Sequence, residues 1–193
     1  MNYQMQKLFK YILIFSICLF FNITLGQKAA YSYETCIITF PYGTWETILY
    51  KKTNKESLVQ FILNTQNKYN YNETVIFHGY KNKSLDANNL LMFLFNKAKK
   101  YNQDIKYVSL KNSKDNSMIY WCGKNKYTEK QQCEIVRTAK SYEGLVSMHY
   151  ITYDFNRFNQ VYEYWLETIN NVKIYYSYFR WDRMMNKATT FEL

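Results

Sequence analysis

"SMIYWCGKNKYTEKQQCEIVR", Ser117–Arg137, sets two runs of aromatic and β-branched residues around a lysine-rich loop, with Cys122 and Cys133 at the ends of that loop. Such runs favour strands, so the segment reads as a hairpin with a cysteine on each arm. Thr128 and Gln131 have the spacing of a capping box, which makes a helix starting at "TEKQQ" the alternative, and a Cys122–Cys133 pair is compatible with either shape. Closing so short a loop stabilises by about 3 kcal/mol on the chain-entropy argument, provided the thiols oxidise. The compartment decides that.

The N-terminus supplies an address. Lys7 and Lys10 precede an apolar run from Tyr11 to Phe21, and Thr24 and Gly26 occupy the −3 and −1 positions of a cleavage site. This is the order of parts in a signal peptide, and Asn22 cuts the run short of the roughly 20 residues a spanning helix needs. The expected organisation is a leader over 1–26 and an exported domain over 27–193, in a secreted, periplasmic or secretory-lumen setting. An uncleaved anchor is the alternative. Cys18 leaves with the leader, so the mature thiols are Cys36, Cys122 and Cys133. Cys36, in the alternating stretch "YETCIITF", reads as a buried core thiol.

One proline and five glycines leave no flexible linker, so a single domain is expected. "PYG", Pro41–Gly43, presets a turn between two strands, which reads as an opening hairpin. Thr53 and Glu56 form a capping box ahead of Leu58, Phe61, Ile62 and Thr65, spacing that predicts a helix. "ETVIFHGY" reads as a strand; Ala87, Leu90, Leu91, Leu94, Ala98 and Tyr101 predict a helix. Another begins near Asn156, burying Phe158, Val161, Tyr162, Trp165 and Ile169. The fold class is therefore α+β: a mixed, largely antiparallel sheet with about three helices packed on it.

The formal charge is +10, and the 21 lysines against four arginines argue against a phosphate-reading surface. Lysine, asparagine and tyrosine are also what an A+T-rich gene supplies. The 21 tyrosines point elsewhere. In the last strand Tyr175, Phe179 and Trp181 share one face, a candidate surface for stacking on sugar rings, bases or a protein partner. Asn72 and Asn82 begin glycosylation sequons.

Chemistry is sparse. His78 and His149 are too few for a zinc site, so no metal or cofactor is expected. As acid and base they are the candidates for a nuclease-like or peptidase-like hydrolase. Strand, His78-Gly79, helix, strand is similar to the arrangement of caspase-like cysteine peptidases, but "YVSLKNSKD" offers Ser109, Asn112 and Ser113 where that family has its cysteine. No G-x-S-x-G occurs. The leading expectation is a noncatalytic exported binding protein. Its partner would be a protein or an envelope or extracellular polymer, with nucleic acid disfavoured; a hydrolase using His78 or His149 is the alternative.

Overall fold

A seven-stranded antiparallel sheet, in the order β2-β3-β4-β8-β7-β6-β5, carries the chain. Its strands are β2 (Trp45–Lys52), β3 (Glu56–Leu63), β4 (Glu73–Tyr80), β5 (Asn102–Lys111), β6 (Asn116–Asn125), β7 (Gln131–Lys140) and β8 (Leu145–Thr152). A second sheet, β10-β1-β9, joins β1 (Tyr33–Ile38), β9 (Lys173–Ser177) and β10 (Thr189–Glu192). Two helices complete the described chain, α1 (Ala87–Tyr101) and α2 (Phe155–Asn171). The structure, a computed structural model, describes residues 33–82, 84–177 and 189–192.

The helices take opposite faces of the large sheet. Val146, Met148 and Tyr150 of β8 join Phe158, Val161, Trp165 and Ile169 of α2 in the main core, together with Cys36 and Ile38 of β1. Leu145 packs instead with Ala87 and Leu90 of α1, and Val136, Ile119 and Trp121 pack with Leu91 and Phe95. β7 and β8 are thus covered on both sides, which is why nearly every residue along them is buried, polar ones included. Each fully buried large apolar side chain here is worth about 1.5–3 kcal/mol.

Three polar features fix α2. Asp154 caps its N-terminus, accepting from the Arg157 N–H. At the other end, Arg137 Nη1 donates to the carbonyls of Ile169, Asn170 and Val172, each at 3.0 Å, while its Nε donates to Asn116. Burial pushes the Arg137 pKa down, so the guanidinium is held by carbonyl dipoles in a site that resists charge. Buried Glu73 is the third. It accepts from the hydroxyls of Tyr42 and Tyr150 and from Arg157 Nε, and Trp165 Nε1 donates in turn to the Tyr42 hydroxyl. Tyr150 stacks on Trp165 with centroids 4.2 Å apart, and burial beside the Glu73 carboxylate raises its pKa.

The class is α+β as read, with every strand pair among the described residues antiparallel. Two helices, rather than about three, are present among those residues. The stretch expected as a helix after Thr53 is β3, paired on both sides. The capping contact itself forms, since Thr53 Oγ1 accepts from the Glu56 N–H at 3.1 Å, but it closes the β2–β3 turn. β1 and β2 are not a hairpin either: the Pro41–Gly43 turn carries the chain between sheets, with Gly43 at φ 66°. No helix begins at Thr128, because the Asn125 side chain accepts from the N–H groups of Tyr127 and Thr128 and shapes a hairpin loop. Cys122 and Cys133 form the disulfide, as direct partners of that hairpin.

Candidate functional site

α1 lies over β5, β6 and β7, leaving the neighbouring part of the same sheet face as the floor of a groove of about 580 Å³. Strand alternation decides what stands there. On β4, Ile76, His78 and Tyr80 share this face; on β8, Ser147, His149 and Ile151 do. His78 pairs in register with Ser147 and His149 with Ile76, so the two histidines occupy diagonal positions on adjacent strands. The pairing of β4 with β8, across 71 residues of separation between the histidines, is what the sequence could not display.

Both rings are held by carboxylates. His149 Nδ1 is 2.5 Å from Glu134 Oε1, and its Nε2 is 2.8 Å from Ser147 Oγ. These two contacts are satisfied together when Nδ1–H donates to Glu134 and Nε2 accepts from the serine hydroxyl. His78 Nε2 lies 3.1 Å from Glu56 Oε2, and its ring stacks on Tyr80 with centroids 4.1 Å apart. Burial lowers the His78 pKa; Glu56 pulls it back up, while the charges of His149 and Lys97 lower it further. Burial raises that of Tyr80.

Ser147, His149 and Glu134 have the hydrogen-bond order of a hydroxyl nucleophile, a base and an orienting acid. Access is what they lack. Ser147 is fully buried, and β8 is paired along its length by both β4 and β7, so its amides serve the ladder rather than an oxyanion.

The opposite wall is the free edge of α1. Phe93, Lys97 and Tyr101 follow one another at single-turn spacing and all line the groove; Phe93 is 64% and Tyr101 48% exposed. At the end of the groove Asn102 is 6% exposed. Its Nδ2 donates to the Ala98 carbonyl, and its buried Oδ1 accepts from no described group.

The other expected sites lie apart. Tyr175 is 39% exposed on β9, opposite Thr35 in the smaller sheet; Phe179 and Trp181 lie outside the described residues, as does the leader over 1–26. Asn72 and Asn82 are exposed at the two ends of β4. Asn82 Oδ1 accepts from Ser84 Oγ at 2.7 Å, while Thr74 of the other sequon is buried and donates to the Phe61 carbonyl. β8, β7 and β6 stand between β4 and β5, so Ser109 does not meet His78 and the peptidase-like arrangement fails. No cluster of three metal-ligating side chains occurs, and no helix is long and apolar enough to cross a membrane, among the described residues. Glu134, Glu56, Ser147 and Tyr80 are the site residues that sequence reasoning missed. No protein-family model matches the chain, and no curated protein matches its sequence.

Proposed function

We propose that this protein is an exported, noncatalytic binding domain that holds its ligand in the groove between α1 and strands β3, β4 and β8. One observation carries the reading: an open groove collects hydrogen-bonding side chains and two exposed aromatic rings while its two histidines are already satisfied by carboxylates. Concave sites with a few convergent polar groups and a shifted pKa are where ligands bind. Export is supported by the leader pattern and by the disulfide, which persists in oxidising compartments. A hydrolase is the second reading, favoured by the Ser147–His149–Glu134 hydrogen bonds.

Ring-proton NMR of His78 and His149 during a fragment screen tests the first reading. Ligands should shift both resonances, and Lys97→Trp, which fills the mouth from an exposed position, should abolish the shifts. Screens that move neither ring would sink it. A fluorophosphonate probe tests the second: labelling of Ser147, lost in Ser147→Ala, would replace binding by catalysis.

A further inference from the structure

We infer that the groove takes an uncharged carbohydrate, a short oligosaccharide laid along α1, an assignment that rests on the ligand-groove reading above. Phe93 and Tyr101 are separated by two helical turns, about 12 Å along the axis. A single exposed ring on a surface is ordinary. Two rings on one helix edge, bordering a groove that mixes apolar with hydrogen-bonding side chains, form a platform longer than one sugar ring, on which the C–H faces of successive sugars can stack.

The same groove is lined by planar hydrogen-bonding groups, the Asn125 and Gln132 amides and the His78 imidazole. Glu134 and the unpartnered Asn102 Oδ1 add acceptors. A hydroxyl both donates and accepts, so a polyol can answer every one of them, whereas a purely donating cation or a purely accepting anion answers only half.

Charge narrows the class further. The chain carries +10, yet the groove holds two carboxylates, Glu56 and Glu134, against one ammonium, Lys97. A polyanion drawn to the surface would have to desolvate against those carboxylates, and a cation meets Lys97 and the field of the whole protein. Neither sign is favoured at the floor.

Titration calorimetry and saturation-transfer NMR of the disulfide-intact protein decide the matter, with maltohexaose, cellopentaose, chitopentaose and mannopentaose as probes. A heparin hexasaccharide and oligothymidylate serve as charged comparisons. At least one uncharged probe should bind. Phe93→Ala and Tyr101→Ala should each weaken binding by about tenfold, an amount typical of a lost ring stack, and Phe93→Tyr should retain it. Both positions are exposed, so the variants keep the fold, which amide spectra verify. Binding only by the charged probes, or by none of the uncharged ones, overturns the inference, as does binding indifferent to both alanine variants. A mixture of amines, nucleosides and amphiphiles separates the two levels. If these shift the His78 and His149 ring protons and sugars do not, the carbohydrate class falls and the groove reading stands; if nothing shifts them, both fall.

Discussion

Cys122 and Cys133 face each other directly across β6 and β7, with Cα atoms 4.1 Å apart and a sequence separation of 11. The bond closes the hairpin whose tip meets the C-terminus of α1, where the Lys126 N–H donates to the Tyr101 carbonyl and Nζ to that of Lys100. The staple therefore also fixes one end of the groove.

Replacing both cysteines by serine should lower the unfolding free energy by about 3 kcal/mol, the loop-closure value for a ring of this size. Urea titration of the variant against the parent measures it. The oxidised parent should weigh about 2 Da less than the reduced form, since forming the bond removes two hydrogens. Unchanged stability would mean that the sheet holds the hairpin unaided.

Arg137→Ala should cost on the order of 3 kcal/mol, because three carbonyls at the end of α2 lose a charged donor in a buried place. Arg137→Lys should recover only part, lacking the fork that serves Asn116 and the helix end together. Denaturant midpoints give both values. A lysine variant as stable as the parent would show that charge alone suffices there.

Glu73 and Tyr150 should be energetically coupled. Glu73→Gln removes the carboxylate that accepts from two tyrosine hydroxyls, and Tyr150→Phe removes one of the donors. The double-mutant cycle should return a coupling of about 1–3 kcal/mol, and additive losses would count against the network.

Acid should destabilise the protein through His78. Its folded pKa lies below the ordinary 6.5, so the unfolded chain binds the proton more readily. The contribution is complete above the unfolded pKa and is lost as pH falls from there through the folded pKa. Thermal midpoints from pH 7.5 downward should fall less steeply in His78→Gln, and the His78 ring proton should titrate below the unfolded value. A midpoint above it would reverse the sign.

Much of the frame was legible from local pattern. The stripe of α2, the strand around His78, and the cysteine pair each depend on neighbours within a turn or a hairpin. Thr53–Thr65 defeated that approach because a threonine-to-glutamate contact three residues apart suits a helix start and a tight turn equally. Partners supplied by β2 and β4 settled the matter. The opening hairpin failed for the same cause in reverse, as β1 finds its partners more than 130 residues downstream. The groove was the least visible feature. Glu56, His78, Glu134 and His149 lie on four different strands, and nothing in their spacing announces the order β3-β4-β8-β7 that gathers them.

β8 alternates between two tasks, one set of side chains locked against Trp165 and its neighbours, the other set forming the floor beside α1. Heredity can therefore edit the second set without disturbing the first, so long as each edit keeps the pleat. His149 is the exception in that second set, because a change there would strand buried Glu134 and Ser147, whereas the Ile151 side chain has no hydrogen bond to lose and can vary with the floor alone.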